Sequence, residues 1–318
     1  MSPTLHPLKI TDQDQACQCL TSTVLGSQTP LSAWSFSAHY IWKDVLRYSW
    51  SEVAGWWCFF AEYSDCLFMP LPPLGPISGP GSPPWSSLKE VLAHVMTFMD
   101  TRNKGSQGTR IENIPAELKE VIQPWGYLLT PKDSDYLYRT TDLVQLKSNS
   151  YKSQRAAYNR FFRTHRIRVA PYQILDRDGC LALFHRWAHQ KEEIPVPQIG
   201  VHAEIARLMV REAASAHRVV LQEYRELGLI GRVVWVDGSI KAYAFGYPRS
   251  REVFCILLEV ADQSVYGLTQ YLFREFCREN QQYPFVNTMG DSGLPSVART
   301  KHAYRPCQLV PNYIAQPT

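Results

Sequence analysis

The sequence predicts an α+β fold built in two halves, and three observations carry that reading. WWCFFAEY at 56–63 is apolar on both of its alternating faces, as in a strand buried on two sides. GRVVWV and SIKAYAFGY flank Asp237-Gly238, a turn pair that marks a hairpin. Amphipathic helical segments recur in both halves, so that each half reads as helices, antiparallel strands, a helix and a further strand, without repetition of residue identity. Helices packed on a mostly antiparallel sheet in each half satisfy that pattern.

Taken in order, 35–57 reads as one or two helical turns leading into WWCFFAEY, followed by a short strand, CLFMPL. The run 71–87 is crowded with Pro, Gly and Ser; Pro fixes φ and lacks a donor, so a surface loop is expected. Leu88, Val91, Leu92, Val95 and Met99 then line one face of a helix ending near Asp100. A short strand and helix are expected within 110–125, and a strand near Leu137. The segment 142–168 reads as a basic helix, YQIL at 172–175 as a strand, and 179–191 and 202–217 as helices. EVFCILLEV, an amphipathic helix at 266–278 and a last strand, PFVNT, precede a polar C-terminal segment. The expected division is a first domain over 1–146, a basic connecting helix over 147–168, and a second domain over 169–318.

Composition narrows the function classes. The 318 residues are 45% hydrophobic and 19% charged, enough to fill a sizeable core. Net charge is only +4, so binding to a polyanion would have to come from a local cluster. No run of eighteen uncharged apolar residues occurs, and the N-terminus lacks the pattern of a secretion signal. Eight cysteines without CxxC pairs read as reduced thiols, which places the protein in the cytoplasm and leaves no metal site expected. His185 and His189 have ligand spacing but no accompanying helical Glu base, and read as structural. Walker, GxGxxG and GxSxG motifs are missing.

LLEVADQSVYGLTQYLFREFCREN, followed by PFVNTMGDSGLPSVARTKHAYRP, resembles the phosphatidylglycerol lysyltransferase C-terminal-domain-like family. YLYRTTDLVQLKSNSYKSQRAAYNRFF, SAWSFSAHYIWKD and the PPLGP run are similar to the same family, so the resemblance spans nearly the whole chain. It implies two tandem GNAT-like (acyl-CoA N-acyltransferase) domains, each a mixed, largely antiparallel sheet flanked by helices. It also implies an acyltransferase that moves an aminoacyl group from aminoacyl-tRNA to an amine or hydroxyl: a small molecule, a lipid head group or a peptide. The chain departs from the family pattern at Val260, Met289 and Gly290, and a member without the membrane-embedded half of the lipid-modifying enzymes is expected.

Transfer of this kind needs a proton acceptor and a group that stabilises the developing oxyanion. Glu259, just past the apolar run 255–258, suits a base if burial raises its pKa; a solvated strand-end carboxylate is the other reading. The resemblance makes Asp291 an anchor for the donor's amino group, although Asp291 and Asn287 in NTMGDSG also fit turn chemistry. Lys301 and Arg305 are the candidates for stabilising negative charge, with Asn287, Tyr304, Tyr266 and Gly267 as further substrate contacts. Lys152, Arg155, Arg160 and Arg163 would hold the phosphates of a tRNA acceptor stem, no acidic residue lying between Asp142 and Asp176. A CoA thioester is the alternative donor, disfavoured because 262–267 lacks the glycines of a pyrophosphate-gripping loop. A ligand- or RNA-binding protein without catalysis is the remaining alternative.

Overall fold

The computed structural model describes residues 3–22, 26, 28–75, 85–105, 108–193 and 201–318. Most of the loop expected at 71–87 lies outside these residues. The chain packs as two compact units. The first comprises 1–135, 290–293 and 309–318, and the second 136–289 and 294–308. Packing therefore divides the chain before the expected boundary at residue 146, and the last strand returns to the first unit.

In the first unit, β1 (His6–Pro7), β2 (Arg47–Val53), β3 (Trp56–Tyr63) and β4 (Cys66–Phe68) form an antiparallel sheet in that order. Helix α1 (Gln13–Ser22) precedes the short helix α2 (Phe36–Tyr40). The apolar stripe of α3 (Trp85–Arg102) packs Leu88, Val91, Leu92, Val95 and Met99 against Trp56, Cys58 and Phe60 of β3. After β5 (Ile111–Pro115) and α4 (Ala116–Ile122), β6 (Leu128–Arg139) carries the chain into the second unit. Asn113 of β5, held at φ 55°, donates to Pro70 O and accepts from Lys132 and Asn312, so one left-handed residue ties three segments together.

The second unit is a sheet with the order β6, β11 (Phe285–Asn287), β10 (Val253–Ala261), β9 (Ser239–Pro248), β8 (Ile230–Val236), β7 (Ile167–Pro171). All its pairs are antiparallel except β10 with β11. Helices α6 (Lys152–Thr164) and α9 (Leu268–Glu279) bury Tyr158, Phe161, Leu272 and Phe276 against one face. Helices α7 (Arg177–Glu193) and α8 (Val201–Glu223) belong to the other, where buried His217 meets Tyr243 OH at 2.8 Å. The Asp237-Gly238 turn makes the expected hairpin, with φ of 51° and 86°.

Three expectations need correction. The basic segment is not one helix over 147–168: Leu146 turns left-handed after α5 (Thr140–Gln145), and α6 stops at Thr164. Beyond it, Ile167 and Val169 alternate with arginines, and the chain hydrogen-bonds to β8 as an edge strand. That strand ends at Pro171, so YQIL holds only a short 3-10 turn, Ile174–Asp176. The C-terminal segment is regular, with α10 (Pro295–Ala303) and β12 (Gln308–Gln316), which pairs with β5.

Candidate active site

Two local features of β10 decide where Glu259 points. Its parallel pairing with β11 runs from Val253 to Cys255 and ends with Asn287, so the stretch carrying Glu259 is paired only with β9. Between Ile256 and Leu258 the register against β9 slips by a bulge. Side chains alternate along a strand, so one inserted residue exchanges the faces of everything after it. Phe254 and Ile256 before the bulge and Ala261 after it all face the α6–α9 core. Glu259, two residues from Ala261, thus joins that face, and Val260 is buried on the opposite one.

Glu259 is half-buried, but its Oε1 is sealed from solvent and has no hydrogen-bond partner. Burial raises its pKa to about 8, with the nearby Lys301 ammonium pulling the other way. The Cys277 thiol and the Tyr304 hydroxyl are both pushed upward, first by burial and then by the charge of Glu259. Both residues thus lie within reach of the carboxyl's charge, and Phe273 stacks edge-on to Tyr304 with centroids 4.7 Å apart. Cys277 lay beyond sequence reasoning, since a cysteine in an amphipathic helix signals only core.

Lys301 is anchored on backbone carbonyls. Its Nζ donates to Thr288 O at 2.5 Å and Met289 O at 3.0 Å, and lies 5.4 Å from the Tyr136 ring centroid. The carbonyls stand there because Asn287, fully buried, accepts from Met289 N–H at 2.6 Å in a turn that holds Met289 at φ 65°. Tyr138 OH donates to Lys301 O at 2.9 Å, fixing the helix end as well. Asn287 thus acts on the site through the backbone.

The basic helix meets the same neighbourhood. Gln154 donates to Ala303 O at 2.9 Å and Tyr151 OH to Tyr304 O at 3.1 Å, so α6 packs on the end of α10, beside the residues that surround Glu259. Lys152, Arg160 and Arg163 are exposed on α6. Arg155 is spent on structure, donating to Leu146 O and Ser148 O. Arg160 lies 5.1 Å over the ring of Tyr266, which is 60% exposed. Gly267, at φ 84°, caps α9, and a Cβ there would sit 2.3 Å from Ala157 O, so glycine lets α6 and α9 touch. Arg305, at φ 55°, is exposed just past α10, its charge felt by the Tyr151 hydroxyl. Asp291 packs with the first unit and accepts from Gly293 N–H at 3.0 Å, as turn chemistry requires. In the second unit, then, Glu259, Lys301 and Tyr304 come together, with Asn287 supporting Lys301.

The family model described as "Phosphatidylglycerol lysyltransferase, C-terminal" matches residues 28–316. The chain belongs to this family. Among solved structures it resembles a conserved protein of unknown function from Bacteroides thetaiotaomicron, with a TM-score of 0.80, 23% identity and 100% of each chain covered. L-PGS from Bacillus licheniformis aligns with a TM-score of 0.61 and 17% identity over 96% of this chain and 92% of that one. A tandem GNAT protein from the clavulanic acid biosynthesis pathway aligns at 0.51 and 10% identity, covering 98% and 97%. At these identities the likeness is one of fold, and the fold is tandem GNAT-like. No curated protein matches. Among the described residues no helix is long and apolar enough to cross a membrane.

Proposed function

We propose that this protein is a GNAT-fold acyltransferase that moves an aminoacyl group from aminoacyl-tRNA to an amine or hydroxyl acceptor in the cytoplasm. The observation that carries the chemistry is Glu259: a carboxyl with one sealed, unpartnered oxygen, beside a lysine, on the stretch of β10 that β11 leaves unpaired. Family membership supports the reaction class. In the proposed step the acceptor's nucleophile attacks the ester carbonyl of the donor. Its proton passes to the Glu259 carboxylate, the C–O bond to the tRNA ribose breaks, and Glu259 returns that proton to the ribose oxygen as the new ester or amide leaves. Lys301 offsets the negative charge developing on the carbonyl oxygen, and Tyr304 limits water around the carboxyl. Lys152, Arg160 and Arg163 would hold donor phosphates on the exposed face of α6, with Arg305 at its edge. Asp291 remains the proposed anchor for the donor's amino group.

CoA is the second donor to consider, and the α9 N-terminus speaks against it. Ala157 O crowds Gly267, and Asp262 receives Ser264 N–H and Oγ–H at 3.0 and 2.6 Å, so this loop is occupied by its own hydrogen bonds and by α6. Single-turnover transfer from radiolabelled aminoacyl-tRNA into lipid or peptide acceptors tests the proposal. Product is expected with the natural chain, and at least about a hundredfold more slowly with Glu259→Gln. Absence of product from both, together with calorimetric binding of CoA, would replace aminoacyl-tRNA by acyl-CoA.

A further inference from the structure

The end of α6 delivers two arginines to a place outside the site just described. Arg166 and Arg168 stand two apart at β7, hence on one face of an edge strand, and Ile167 between them turns into the core. Arg168 is in register with Trp235 of β8, and its guanidinium lies 3.5 Å from the indole centroid. The Asp237-Gly238 turn closes the end of the strand pair, with Asp237 N–H donating to Arg166 O at 3.1 Å. Arg166, Ile167, Arg168, Trp235 and Gly238 line a pocket of about 210 Å³, smaller than the roughly 300–1,000 Å³ of drug-sized sites.

The charges around this pocket are unbalanced. Among the described residues neither guanidinium makes an ion pair. The neighbouring carboxylate, Asp237, accepts from Arg166 N–H and His165 Nδ1, each at 3.3 Å; its pKa is lowered by those contacts and then by the charges of His165 and Arg166, so it offsets only one of the two guanidinium groups. Stacking on Trp235 fixes the plane of the Arg168 guanidinium and leaves its N–H edge available. Two guanidinium groups at one small concavity match a dianionic tetrahedral oxyanion better than a singly charged carboxylate.

We propose that this pocket is an anion site for a phosphate group, separate from the transfer centre and independent of the transfer reading. The probes are inorganic phosphate and glycerol phosphate, titrated calorimetrically at constant ionic strength with acetate as control. A parallel titration follows tryptophan fluorescence. Both phosphates are expected to bind more tightly than acetate. The preferred phosphate tells whether the free ion or an organic monoester is the natural occupant. The Arg166→Ala/Arg168→Ala double variant should weaken binding by about tenfold or more, as loss of charge-assisted hydrogen bonds requires. Arg251→Ala, an exposed arginine at the far end of the β9–β10 pair, should leave it unchanged, and Trp235→Phe should remove the fluorescence response while keeping the heat of binding. Equal binding of acetate, undiminished affinity in the Arg166/Arg168 variant, or equal loss in the Arg251 variant would overturn the assignment.

Discussion

Glu259 is the residue where composition, burial and chemistry meet, and its protonation has two measurable consequences. Its pKa in the folded chain, about 8, lies above the 4.5 of an ordinary glutamate, so between those values the folded state holds a proton that the unfolded state has released. Stability contributed by the protonated carboxyl is therefore complete below about pH 4.5 and declines as pH rises toward 8. Replacing it with Gln removes that decline, and Glu259→Gln is expected to be more stable than the natural chain by about 4 kcal/mol at pH 8, but not at pH 4, in urea melts. The same substitution removes the base, lowering transfer by roughly 10²–10⁴-fold. A base of this pKa makes kcat/KM rise with pH and level off above 8. Lys301→Met takes away the charge that favours the carboxylate, so the rise should move to higher pH as well as weaken. Glu259 could be selected from the sequence by its position after an apolar run. That it faces α6 and α9 could not, because the bulge at 256–258 has no residue signature in CILLEV.

At the scale of elements, the turn after β11 and the contact between α6 and α9 carry the site. Asn287→Ala removes the acceptor that holds Met289 left-handed and lets the two carbonyls under Lys301 drift. We expect a lower kcat with a displaced pH profile, and partial recovery in Asn287→Asp, whose carboxylate keeps an oxygen acceptor for Met289 N–H. A purely structural role would lower stability without moving the profile. Gly267→Ala forces both a strained φ and a clash with Ala157 O, at a cost of roughly 2 kcal/mol or more that thermal melting would show. Elements with strong apolar patterns, β3, α3, the β8–β9 hairpin, β10 and α9, are legible in the sequence. Strand β2 is not, because neither face of RYSWSEV is continuously apolar: Arg47, Ser49 and Ser51 alternate with Tyr48, Trp50 and Glu52, and buried Tyr48 and Ser51 are its only fully covered positions. Strand β12 hides because Pro311 and Asn312 interrupt the apolar residues of QLVPNYIAQ, and a proline argues against a strand. Strand β7 is concealed by its arginines, which extend the basic run of α6 although the β-branched residues between them belong to a sheet edge.

For the whole molecule, the tandem fold is legible through family motifs rather than through patterning, which on its own leads only to helices on antiparallel sheets. The division into units is less so: β6 runs through the boundary and 309–318 returns to the first unit, and neither event leaves a mark in composition. The basic helix proves to be a packed element, with Gln154, Ala157, Tyr158 and Phe161 buried along its inner face while Arg160 and Arg163 face solvent. If its exposed cations hold donor phosphates, transfer and tRNA binding should weaken steeply with salt, and Arg160→Ala/Arg163→Ala should flatten that dependence. The proposed chemistry depends on a proton-accepting carboxyl tuned by Lys301. Titration of the Glu259 side-chain carbon by NMR, in the intact chain and in Lys301→Met, reads that property without any substrate. The expected midpoint lies near pH 8 and rises further in the variant. A midpoint near the ordinary 4.5, unmoved by loss of the lysine, would contradict it.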